Sequence, residues 1–203
     1  PVGQPIKIRP NKVKPIERIA IVGTGNVAHV LGRSFHAVGV RIAFVCGRNE
    51  DEGSALAHSL EATYTSELGH LAETDAVLIA VSDDSIHEVA AALPPGVPTR
   101  IHCSGSRPIE DLQGAGGVLW PLQAVRAERP WSHDTPIAME ATDDEQAARL
   151  ELLAKTITTD VVRVKHGARL EAHLAAVLAA NMTNYFLEKA TEHAASSGVP
   201  WKH

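Results

Sequence analysis

Aromatic side chains are scarce in this 203-residue chain: three Trp, three Phe and two Tyr make up 4% of it. Its core must therefore be assembled mainly from Ala, Val, Leu and Ile. Only two cysteines are present, Cys46 and Cys103, too few for a disulfide framework. Both stand in strand-like contexts, so reduced thiols in a cytoplasmic protein are expected. No apolar run reaches transmembrane length, and the first residues lack an apolar signal-like core. There is no surplus of positive charge either. The net charge of -5 gives no basic footprint for nucleic acid. Eleven histidines occur, but none in a recognised zinc spacing such as H-E-x-x-H, so no metal is expected.

What is present is alternation. Residues 1–15 hold Pro1, Pro5, Pro10, Pro15 and four basic side chains, and read as a flexible arm. Arg18 to Val22 is a short apolar run suited to a strand buried on both faces. A helical pattern from Asn26 to about Val38 follows, with Val27, Val30, Leu31 and Phe35 on one side, and Gly39 ends it. A second strand from Arg41 to Cys46 completes a βαβ unit. The pattern then predicts a helix over 51–60, a short strand over 62–64, a central strand over 75–81, a helix ending near Leu93 and a strand over 100–103. Asp83 and Asp84 read most simply as caps of that helix. After Gly105 the pattern loosens through Gly114, Gly116 and Gly117. Strands over 136–140 and 160–164 flank a helix over 143–156. The fold class is therefore α/β, a doubly wound parallel sheet over 16–164, followed by an α-helical region over 165–203. The helix from Ala168 to about Ser196 is apolar or small almost all round and is expected to be buried between subunits or domains.

Gly23-Thr24-Gly25-Asn26-Val27-Ala28 joins the first strand to the first helix. Gly23 permits the tight turn, Gly25 has no Cβ to obstruct a pyrophosphate, and Ala28 lets helix and sheet approach. The helix N-terminus offers free N–H groups to phosphate. In this context the turn reads as a dinucleotide site; by itself it is a plain βα turn. A dinucleotide site selective for NAD usually has a carboxylate at the end of the second strand, where it accepts from the ribose 2′-OH. Here the sequence is Cys46-Gly47-Arg48-Asn49, with Glu50 and Asp51 opening the next helix. Arg48 can fork onto a 2′-phosphate, which favours NADP(H) over NAD(H). Its simpler reading is a solvated side chain.

Val81 and Ser82 follow the central strand, and His102 and Ser104 end the next one. All four are expected at the sheet edge facing the cofactor. Cys103 has no evident base and is not read as a nucleophile. On the long helix, His173, Val177, Asn181, Asn184 and Glu188 are spaced to share one face within about 80°. His173 and Asn181 are the candidate catalytic pair, with His173 as proton donor to a carbonyl or imine.

These blocks, taken in order with Pro121-Leu122-Gln123, resemble a family of Rossmann-like NADP oxidoreductases bearing a helical C-terminal domain of unknown function. That family is similar to pyrroline-5-carboxylate reductase, ketopantoate reductase and 3-hydroxyisobutyrate dehydrogenase, and the resemblance spans about residues 16–203. It implies an NADP-linked reductase acting on a small carbonyl, hydroxy-acid or imine compound between two domains, and a homodimer formed through the C-terminal helix. It also implies a polypeptide that continues past residue 203. Two positions depart from the pattern: Trp120 stands where relatives tend to have His, and Val177 where the hydroxyacid dehydrogenases have Lys. Those departures keep open an alternative, a non-catalytic NADP(H) sensor. A methyltransferase with a similar glycine turn is disfavoured by Arg48.

Overall fold

A computed structural model describes residues 13–165 and 167–198; most of the expected N-terminal arm and the final Trp201-Lys202-His203 lie outside them. Eight strands form one sheet. They are β1 (Arg18–Val22), β2 (Arg41–Cys46), β3 (Thr63–Thr65), β4 (Ala76–Ile79), β5 (Arg100–His102), β6 (Gly116–Pro121), β7 (Ile137–Ala141) and β8 (Val161–Arg163). Their spatial order is β3-β2-β1-β4-β5-β6-β7-β8. Every neighbouring pair is parallel except β6 and β7. From β1 the chain builds outward through β2 to β3 and then crosses back to β4 on the other side of β1, which opens a crevice at the carboxyl ends of β1 and β4.

Alternation along the strands sends side chains to two apolar layers. Ile19, Ile21, Ile42 and Leu78 face α1 (Asn26–Ala37), α2 (Glu50–Ser59) and α4 (Asp144–Ala154). Ala20, Val22, Val77 and Ile79 face α3 (Ile86–Ala92) and the turns before it and after β5. Aliphatic residues supply nearly all of this, as the shortage of aromatics requires; Phe35 is the one aromatic ring among the largest fully buried side chains.

Strand β6 has no signature in the sequence, because Gly114, Gly116 and Gly117 mask it. The cause is steric. A Cβ on Gly116 would collide with the Arg100 backbone of β5, and one on Gly117 with the Glu140 carbonyl of β7. The doubly wound parallel sheet expected from the sequence forms, with one antiparallel pair at this same place, where β7 returns against β6.

The C-terminal helix is not of one uniform period. It runs as α5 (Ala168–Ala176), a π-helical segment (Val177–Met182) and α6 (Thr183–Ser196). Its apolar side chains are open in the single chain: Leu174 is 52% exposed, Leu178 56% and Phe186 63%. Among the described residues nothing covers these side chains. What fastens its start is Arg169, whose side chain is buried. Its Nε donates to Glu140 Oε2 at 3.0 Å, and its other nitrogens donate to the carbonyls of Ser104, Gly105 and Arg107 at 2.8, 2.9 and 2.6 Å. Removing this guanidinium leaves three carbonyls and a buried carboxylate short of a donor. Arg169→Ala is expected to lower unfolding free energy by about 3–5 kcal/mol, read from denaturant midpoints, and a loss below about 1 kcal/mol would contradict the anchoring role.

Candidate functional site

The glycine turn meets its geometric requirements. Gly23 has φ +117°, and a Cβ there would strike the Ala80 carbonyl of the neighbouring strand. Its N–H donates to the Cys46 carbonyl at 2.8 Å, tying the turn to the end of β2. Gly25 is the N-cap of α1 and no side chain caps that helix. A Cβ on Gly25 would meet nothing within 4 Å, so open space lies where an anion would approach the first-turn amides. No acidic residue stands in that turn. Ala28 is fully buried beneath it, against the sheet.

A crevice of about 730 Å³ opens over this turn. Of the residues expected there from sequence, Gly23, Thr24, Gly25, Asn26, Val27, Arg48, Val81 and Ser82 line it together. Arg48 is exposed at its rim. Asn26 has a second engagement: its Oδ1 accepts from the Ala127 N–H at 3.1 Å, joining the helix start to the loop after β6. Glu52 also lines the crevice, a residue to which the sequence pattern assigns no role there. Thr24 Oγ1 donates to its Oε2 at 2.9 Å. The strand end itself carries no carboxylate, as expected, but Glu52 brings one to the crevice from the first turn of α2.

His102 and Ser104 are placed elsewhere. His102 is fully buried, and its Nδ1 accepts from the Ser104 N–H at 3.2 Å. Ser104 Oγ accepts from the N–H groups of Ser106 and Arg107, both at 3.1 Å, closing a turn. Neither lines the crevice. The capping role read for Asp83 and Asp84 is not what forms: neither the short turn at Asp83–Ser85 nor α3 has a side-chain cap, and Asp83 instead accepts from Ser106 Oγ at 2.6 Å.

His173 comes to this second cluster. Its ring meets Trp120 edge-on, centroids 5.5 Å apart and planes at 67°. A Cβ on Gly105 would collide with His173 Nδ1 and stand 2.8 Å from Trp120 Cε2, so glycine is what lets the three pack together. Among the described residues His173 Nδ1 is buried with no hydrogen-bond partner. Asn181, by contrast, is exposed, as are Asn184 and Glu188. The π-helical segment at 177–182 changes the helical phase between His173 and Asn184, so the single stripe inferred from a uniform period does not hold.

Burial, reinforced by the charge of Arg169, pushes the His102 imidazole down to about 4 from its usual 6.5. His102 is therefore neutral at physiological pH. Burial raises the Cys103 thiol to about 12, which leaves it protonated and unreactive. Among the described residues, no group of three or more His, Cys, Asp or Glu is placed to hold a metal ion, and no helix is long and apolar enough to cross a membrane.

Residues 18–101 match the family described as NADP oxidoreductase, coenzyme F420-dependent. The fold of the chain is of Rossmann type. Residues 135–203 match a domain of unknown function, DUF2520. Among solved structures the chain is similar to a Bacteroides fragilis protein provisionally named an NADP oxidoreductase. The two are 28% identical, with 91% of this chain and 74% of that one covered and a TM-score of 0.79. Two others share the fold: an imine reductase from a Pseudomonas species (16% identity, 91% and 68% covered, TM-score 0.68) and the pyrroline-5-carboxylate reductase of Coxiella burnetii (17%, 92% and 73%, 0.62). A comparison with curated proteins found no match.

The folded state holds His102 neutral while the unfolded chain takes up a proton below pH 6.5, so stability falls as pH drops from 6.5 toward 4 and is fully present above that window. Between pH 7 and pH 5 the wild type is expected to lose about 2 kcal/mol more than His102→Asn, measured by urea denaturation. Equal losses in the two proteins would refute the assignment.

Proposed function

We propose that the chain is an NADP(H)-dependent reductase that passes hydride between nicotinamide and a small carbonyl, hydroxy-acid or imine compound. The observation that carries this reading is the open crevice over an uncapped helix N-terminus, with Arg48 at its rim and Val81 and Ser82 continuing its wall. The first-turn amides of α1 would hold the pyrophosphate, and Arg48 the 2′-phosphate. The nicotinamide supplies or accepts the hydride when bound.

In this reading His173 moves the proton. Its Nδ1 is buried against Gly105 and Trp120 with no hydrogen-bond partner among the described residues, so the proton it gives up would be carried on Nε2. Nε2 is then the donor to the reacting oxygen or nitrogen. Asn181 would polarise the substrate from the π-helical segment, a local geometry frequent at functional sites. Residues 165–203 would begin a substrate and dimerisation domain. A second copy of the chain covering Leu174, Leu178 and Phe186 would remove an apolar surface from water. A cytoplasmic location belongs to the same reading, with Cys46 and Cys103 both free thiols.

The alternative of a sensor draws on Trp120 and Val177, which stand where the resembled enzymes have ionisable groups. NADPH consumption separates the two readings. Against a panel of 2-oxo acids and cyclic imines the protein is expected to oxidise NADPH with at least one member, and His173→Ala to turn over about a hundredfold more slowly. Tight NADPH binding with no turnover across the panel would make the protein a sensor. Arg48→Ala is expected to weaken NADPH about tenfold while leaving NADH nearly unchanged, by nucleotide fluorescence titration; equal weakening of both would remove Arg48 as the 2′-phosphate ligand.

A further inference from the structure

Asn49-x-x-Glu52 has the spacing of a capping box, in which the third helical residue folds back to the cap's own N–H. Half of that box forms: Asn49 Oδ1 accepts from the Glu52 N–H at 3.2 Å. The other half does not. The Glu52 carboxylate instead leaves its helix and reaches Thr24 in the glycine turn, Oε2 to Oγ1 at 2.9 Å. Gly47 makes the approach possible, since a Cβ there would stand 2.9 Å from the Thr24 methyl. Among the described residues Glu52 Oε1 has no hydrogen-bond partner, so one oxygen is fixed and the other is free to accept. His29, on the first turns of α1, also feels this carboxylate, with Arg33 opposing it.

Arg48 and Glu52 therefore line the same crevice with opposite charge. Their effects on the adenosine ribose differ in sign. A 2′-phosphate is attracted by the guanidinium and repelled by the carboxylate. A 2′-hydroxyl gains little from the guanidinium but can donate to the carboxylate. Resting on the reading of this crevice as a nicotinamide-dinucleotide site, we propose that Glu52 is a second cofactor-selecting residue, which accepts from the ribose hydroxyl of NADH and limits the preference for NADPH, so that the protein uses both. Thr24 orients the carboxylate for this, and the glycine turn and α2 are held at a fixed spacing by the same bond.

The test is the ratio of NADPH to NADH affinity, by fluorescence titration of the full chain, in wild type, Glu52→Gln and Glu52→Asp. Wild type is expected to bind both nucleotides with affinities within about tenfold of each other. Glu52→Gln should widen the ratio about tenfold, through weaker NADH and tighter NADPH together. Glu52→Asp, one methylene shorter, should lie between. A merely structural role would weaken both nucleotides alike and leave the ratio where it was. An unchanged or narrowed ratio in a protein that binds both overturns this inference alone, whereas binding of neither nucleotide by wild type overturns the dinucleotide reading beneath it.

Discussion

A single guanidinium, that of Arg169, joins the C-terminal helix to the sheet, and the geometry of the second cluster follows from it. It gathers the carbonyls of Ser104, Gly105 and Arg107 and neutralises Glu140 at the end of β7. Four charge-assisted bonds in a buried setting fix the loop after β5 far more firmly than apolar contact would. Because that loop is fixed, Gly105 presents its bare Cα to the His173 ring, which packs at a steep angle to Trp120. The same positive charge also helps hold His102 neutral. Glu140 and Arg169 come from elements separated by 29 positions, so the clamp couples the antiparallel excursion of β6 and β7 to the helix that follows.

The crevice over the glycine turn depends on a different constraint, the removal of side chains from three approaches. Gly23 clears the Ala80 carbonyl, Gly25 leaves the helix end open, and Gly47 lets Thr24 close on the end of β2. Arg48 lines that crevice together with two carboxylates, Glu52 from α2 and Glu88 from α3. In the proposed reading, charge at the rim, rather than the turn itself, would distinguish one dinucleotide from another. The turn supports any nucleotide with a pyrophosphate.

Much of the fold was legible because the buried parallel strands repeat a simple apolar signal and the glycine turn sits between one of them and an amphipathic helix. Strand β6 was hidden since glycines needed for close packing look, in sequence, like loop residues. Glu52 was hidden for a related reason. Its spacing from Asn49 is that of a local cap, and only the folded chain shows the carboxylate turned toward Thr24. His102 and Ser104 were assigned by position at a strand end, but their side chains are consumed by the loop that Arg169 holds. Arg169 itself left a faint signal: a cation in the first turn of a helix faces an unfavourable dipole and needs a partner elsewhere.

The C-terminal helix shows where sequence pattern and structure ask different questions. An apolar surface on nearly all sides predicts burial, yet Leu174, Leu178 and Phe186 are open in the single chain. The prediction concerns the favourable state of those side chains, and one chain alone does not provide it. Burying each such side chain would gain about 1.5–3 kcal/mol, so several together favour a covering surface strongly. The π-helical segment lies in the middle of this stretch, between His173 and Asn184. A wider turn costs helix stability unless something selects it. Its position beside the residue that contacts Trp120 fits selection by function rather than by local propensity, since Val177-Leu178-Ala179-Ala180 contains no glycine or proline to force it.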